Sequence, residues 1–233
     1  MSKNIFERKR NIDMVFCIDG TGSMSPCIDK VKDNAMRFHM EFAGKMIDMG
    51  SEIDSMRVKV IVFRDYESEK EEAIIESPFF ELPDDNAEFS QYMARISATG
   101  GGDYAENGLE ALYYAMKTDF TATAPKDREV IVLFSDADAL ELRERACCSG
   151  YPDAMVDEDG LIELWAGASQ EMHSKLKEAN KRLVMFAPDG SKYKTLKSKL
   201  NRSVFEPVNM SDGLGDIDFS DIIKIIAASA SSV

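Results

Sequence analysis

The sequence predicts an α/β protein of three layers, with a mainly parallel central sheet, one antiparallel edge strand and helices on both faces. Three observations carry that expectation. Short apolar runs rich in β-branched and aromatic residues recur at 14–18, 57–63, 130–134, 183–187 and 204–208. Their near-continuous hydrophobicity suits strands covered on both faces. Between them lie segments whose apolar residues repeat at spacings of three and four, and parallel neighbours need such helical crossovers.

Taken in order, the first run is followed by a long amphipathic helix through Met24, Ile28, Val31, Ala35, Phe38, Phe42, Met46 and Met49, with Gly50 as its stop. After the second run, 72–82 reads as the antiparallel edge strand. Helical stripes follow at Leu109, Leu112, Tyr113 and Met116, then at Leu161, Leu164, Trp165, Ala168, Met172 and Leu176, and last at Phe219, Ile222, Ile223 and Ile226. The segment 138–160 reads as a long insertion near the functional edge, carrying charges, Cys147-Cys148 and a Gly-Tyr-Pro turn. Most of the 14 methionines fall in register with other apolar positions, which points to core packing rather than a peptide groove.

The chain's 233 residues, 44% of them hydrophobic, suffice for one substantial core, so a single domain over 1–233 is expected, with its core from about 12 to 230. Acidic residues outnumber basic ones by 42 to 28, and the resulting charge of −14 disfavours nucleic acid and anionic lipid as partners. Residues 1–10 lack the apolar stretch of a signal peptide and no run approaches membrane-spanning length, so a cytoplasmic location is expected. The four cysteines show no CxxC spacing and are expected to be reduced. Cys17 then serves as a small hydrophobe in the first strand, and Cys147 and Cys148 are ordinary thiols in a loop.

In open α/β sheets, ligands bind beyond the carboxyl ends of the strands, which directs attention to the residues that follow each apolar run. The first run is followed by Asp19-Gly20-Thr21-Gly22-Ser23. One carboxylate and two hydroxyls at alternate positions, spaced by glycines, can converge on one hard cation such as Mg²⁺, with Mn²⁺ or Ca²⁺ as alternatives. The competing reading is that Ser23 or Ser25 only caps the helix. Two later loops add oxygen ligands at the same edge: Ser135-Asp136-Ala137-Asp138 after the run 130–134, and Thr99-Gly100-Gly101-Gly102-Asp103 before the stripe of Leu109. Arg64-Asp65-Tyr66 follows the second strand, where Asp65 either supports a metal-bound water or forms a surface pair with arginine.

These residues resemble the von Willebrand factor type A family and its metal-ion-dependent adhesion site, written Asp-x-Ser/Thr-x-Ser, then a loop Thr, then a loop Asp. Asp19, Thr21 and Ser23 match the first element, with Phe16-Cys17-Ile18 before it and Met24 after it, and Asp136 matches the last. The middle loop departs from the common pattern. Asp103 stands where Thr is usual, as in an intracellular branch with Gly-Gly-Gly-Asp-x-x-Glu, here ending in Glu106, and Thr99 is the alternative ligand. A second anion on the ion would weaken its pull on a partner's carboxylate.

The resemblance implies a Rossmann-like sheet and a protein-binding module. In it Asp19, Thr21, Ser23, Asp103 and Asp136 hold the ion, and a partner's Asp or Glu completes the shell. Bacterial intracellular relatives work beside ATPases, kinases or stress-response proteins, so a partner of that kind is expected.

The string Ile18-Asp19-Gly20-Thr21 also resembles haloacid dehalogenase-type phosphatases, but Cys17 stands where their nucleophilic carboxylate belongs. There is no P-loop or dinucleotide loop. The two histidines, His39 and His173, lie inside helical periods remote from these loops. The sequence thus favours binding over turnover and no enzymatic activity is expected. A Mg²⁺-dependent hydrolase and a scaffold with an idle metal site remain as alternatives.

Overall fold

The computed structural model describes residues 9–100, 105–167, 175–208 and 218–232. In chain order the elements are β1 (Lys9–Asp19), a 3₁₀ turn (Gly22–Met24), α1 (Ser25–Asp48), β2 (Glu52–Phe63), α2 (Tyr66–Glu69), a second 3₁₀ turn (Lys70–Glu72), β3 (Ile74–Glu76), β4 (Phe80–Leu82) and α3 (Asn86–Arg95). They continue with β5 (Ala105–Glu106), α4 (Gly108–Met116), β6 (Arg128–Phe134), β7 (Asp138–Ala139), α5 (Glu158–Ala166), β8 (Lys181–Pro188), α6 (Lys192–Lys199), β9 (Ser203–Val208) and α7 (Phe219–Ser231).

The main sheet runs β3-β2-β1-β6-β8-β9. β1, β2, β6, β8 and β9 are parallel, whereas β3 and β4 both pair antiparallel with the outer side of β2. The expected edge strand at 72–82 is therefore present in two pieces. The break falls at Ser77-Pro78, where proline has no N–H for the ladder; Ser77 closes the first piece, its amide donating to the Val60 carbonyl at 2.8 Å and its hydroxyl accepting from the Val60 amide at 2.9 Å.

Alternation along β1 builds the two cores. Ile12, Met14, Phe16 and Ile18 face α1, α3 and α7, packing with Phe38, Phe42, Phe89, Met93, Ile223 and Ile226. Val15 and Cys17 face the opposite layer, with Leu109 and Leu112 of α4, Leu161 and Trp165 of α5, and Tyr193 and Leu196 of α6. Met36 and Met40 are exceptions to the core reading of the methionines, being 50% and 64% exposed on α1.

The helical stripe from Leu161 to Leu176 is shorter as a helix than its spacing implies. α5 ends where Gly167 turns left-handed at φ 67°, and Leu176 is buried from a non-helical segment. Ala168, Met172 and His173 lie outside the described residues. Among those described, no helix is long and apolar enough to cross a membrane.

Register sets the working edge. Asp19 is level with Phe63 of β2, Ile18 with Phe134 of β6, and Phe134 with Phe186 of β8. The loops after β1, β2 and β6 consequently open at one height.

Candidate metal centre

At that edge the chain leaves β1 at Asp19, and the Gly20 amide donates to the Phe63 carbonyl at 2.8 Å. Gly20 is required by close approach rather than by a special turn, since a Cβ there would fall 2.6 Å from Val62 Cγ1 and 2.9 Å from Arg64 Cζ. The middle loop is stitched to this one. The Thr99 amide donates to the Gly20 carbonyl at 3.0 Å, and Gly22 donates to the Gly100 carbonyl at 3.2 Å, with Gly100 in the left-handed region at φ 75°.

Four of the five expected ligands converge. The Thr21 hydroxyl donates to Asp19 Oδ1 at 2.6 Å and lies 3.4 Å from the Ser23 hydroxyl. Ser23 in turn donates to Asp136 Oδ1 at 3.0 Å, which bridges the loops after β1 and β6. Asp103, the fifth, lies outside the described residues, as do Gly101 and Gly102. Its alternative, Thr99, is held beside the first loop through its amide. Neither Ser23 nor Ser25 caps α1 through its side chain, contrary to the capping alternative. Ser25 contacts Asp29 at 3.5 Å, and the Ser23 proton is directed at Asp136.

Ser135 is a participant that the sequence reading passed over. Its hydroxyl donates to Asp19 Oδ2 at 2.8 Å, so both oxygens of that carboxylate are fixed from opposite sides. Its adjacency to Asp136 was the available signal.

Asp65 and Arg64 also differ from expectation. Arg64 is not the partner of Asp65 but turns inward, donating to the carbonyls of Gly20 at 3.0 Å and Ser97 at 2.8 Å. Asp65 is gripped by Arg145 through two bonds of 2.8 and 2.7 Å and also accepts from the Glu67 amide. It is therefore committed to anchoring α2 and the segment after β7. Asp138 is committed likewise, accepting from the Lys192 amide at the start of α6.

The electrostatics suit a cation. Asp19 is fully buried and Asp136 is 6% exposed, yet among the described residues neither is paired with a basic side chain. Burial pushes the Asp19 carboxyl up to about 6, against the pull of bonds from Thr21 and Ser135, and nearby Asp136 adds to the rise. Burial raises Asp136 as well, opposed by Ser23. Ser23 itself is exposed, so the cluster opens to solvent on that side. Two carboxylates and two hydroxyls, all hard oxygen donors, fit Mg²⁺ in chemistry and number, because that ion keeps several of its waters.

Residues 14–138 match the von Willebrand factor type A domain family. No curated protein sequence matches the chain. Among solved structures, a von Willebrand factor type A protein from Catenulispora acidiphila aligns at 17% identity with a TM-score of 0.50, covering 95% of this chain and 43% of that one. The pilus adhesin SpaC from Lactobacillus rhamnosus GG, in its open conformation, aligns at 12% identity and a TM-score of 0.50, covering 95% of this chain and 30% of the adhesin. The chain thus spans less than half the length of these structures, and the likeness concerns the fold. The family match extends over more than half of the sequence, from β1 through the loop that carries Asp136, and the chain belongs to the von Willebrand factor type A domain family.

Proposed function

We propose that the chain is a divalent-cation-dependent protein–protein interaction module. In this reading Asp19, Thr21, Ser23 and Asp136 hold Mg²⁺ directly or through water, and Asp103 reaches it from the middle loop, with Thr99 as the alternative. The observation that carries this reading is the pair of buried carboxylates, each accepting from a hydroxyl of the first loop (Asp19 from Thr21, Asp136 from Ser23), with no basic partner among the described residues. An arrangement of that kind is unfavourable until a cation offsets it. A bound Mg²⁺ supplies a hard electrophilic centre for a partner's Asp or Glu. The chain's own residues do the positioning. Ser135 and Thr21 orient Asp19, Ser23 orients Asp136, and the exposed side at Ser23 admits the partner.

A binding role rather than catalysis is supported by Cys17. It occupies the place that a phosphatase nucleophile would need, yet it is sealed in the core with its thiol toward the Ala111 carbonyl, and burial pushes that thiol far up. The same reading places the module in the cytoplasm beside an ATPase, kinase or stress-response protein, away from nucleic acid and membrane. Its acidity and four free cysteines agree with that setting.

Affinity capture on the immobilised chain, with Mg²⁺ or with chelator, tests the proposal. A partner should be recovered with Mg²⁺ and lost both in chelator and on the Asp19→Ala bait. Recovery indifferent to the chelator would overturn the metal-dependent reading.

A further inference from the structure

The segment after β7 folds as consecutive tight turns, with Ala146 N donating to the Arg143 carbonyl at 3.1 Å and Cys148 N to the Arg145 carbonyl at 2.9 Å. In a strand, adjacent side chains point to opposite faces. Here the chain turns instead, so Cys147 and Cys148, joined by one peptide bond, are not held on opposite faces. Cys147 is exposed and Cys148 half-buried, whereas Cys17 and Cys27 are sealed in the core.

The turn is clamped to the segment after β2 from both sides of this pair. Arg145 grips Asp65 and Glu67, the Ser149 hydroxyl bonds Glu71, and Gly150, at φ 80°, lies so close that a Cβ would fall 2.7 Å from the Glu71 amide nitrogen. Among the described residues no cluster of three His, Cys, Asp or Glu could hold a metal ion, which leaves the pair with two-sulfur chemistry.

We propose that Cys147 and Cys148 are a reversible dithiol–disulfide site, oxidised by a low-molecular-weight disulfide such as glutathione disulfide, on the turn that anchors the rim of the metal edge. The exposed Cys147 thiolate attacks one sulfur of glutathione disulfide and expels a glutathione thiolate. Cys148 then attacks the Cys147 sulfur and expels the second. The two thiol protons pass to water or to the departing thiolates, and two electrons reduce one glutathione disulfide to two glutathione thiols.

Adjacent Cα atoms lie about 3.8 Å apart, below the usual disulfide range of about 4.4–6.8 Å. The closed ring is therefore strained and returns readily to the dithiol. Closure also reorients the peptide between the two cysteines. Its N–H holds the Arg145 carbonyl, so the change is transmitted to the grip on Asp65.

The test treats the full chain with glutathione disulfide and reads intact mass, free thiols under denaturing conditions, and amide exchange over 65–71. The expected result is a fall from four free thiols to two and a mass lower by two hydrogens, mapped to Cys147 and Cys148. Dithiothreitol should reverse both changes, and exchange over 65–71 should be faster in the oxidised form. Cys147→Ser and Cys148→Ser should each stop at a single glutathione adduct. A stable adduct on wild type, a cross-linked dimer, four surviving thiols, or unchanged exchange would each overturn the proposal.

Discussion

Ser23 distinguishes a ligand from a helix cap by a single substitution. Because its hydroxyl serves Asp136 and not the amides of α1, Ser23→Ala should leave thermal stability within about 0.5 kcal/mol while weakening Mg²⁺ binding severalfold. A fall of about 1 kcal/mol or more with unchanged Mg²⁺ affinity would restore the capping role.

Glu129 offers a pH test away from the site. It is fully buried on β6, with one oxygen accepting from the Lys177 amide at 2.7 Å and the other without a partner among the described residues. Burial pushes its carboxyl up to about 7, opposed by Lys177. A raised carboxyl favours the protonated folded state. Stability from this group is therefore full below the ordinary carboxyl range and drains away as pH rises toward 7. Glu129→Gln should raise the melting temperature at pH 8, by on the order of 1–2 kcal/mol in stability, and should change it little at pH 4. Equal effects at both pH values would contradict the assignment.

At the scale of elements, legibility followed burial. β1, β6 and β8, and the second half of β2, are buried on both faces and announce themselves as apolar runs, whereas β9 at the sheet edge is mostly half-buried and is marked by its apolar residues alone. The helix α6, Lys-Tyr-Lys-Thr-Leu-Lys-Ser-Lys, buries only Tyr193 and Leu196, too few to mark a period, and α3 rests on Phe89 and Met93 alone. Asp19, Thr21, Ser23 and Asp136 were legible because each follows a readable strand.

The partners of Asp65 were not legible. Arg145 lies 80 residues away in a segment without periodicity, and only the fold brings the two together. Arg145→Ala should destabilise the chain by about 2 kcal/mol in a denaturant melt, since it strips a mostly buried Asp65 of its bidentate partner. A change under about 0.5 kcal/mol would mean that the clamp is a surface pair of little consequence.

Over the whole molecule, the charge of −14 sets a condition on the proposed function: a partner's carboxylate approaching this acidic surface is repelled unless a cation lies between them. The same balance predicts that the chain flows through immobilised duplex DNA at about 0.1 M salt, and retention there would contradict the exclusion of nucleic acid. The central claim is that oxygens from separate loops share one ion. Calorimetric titration of Mg²⁺ into wild type and into Asp19→Ala tests it most directly: a single site should appear in wild type and vanish in the variant, and equal binding by the two would contradict the account.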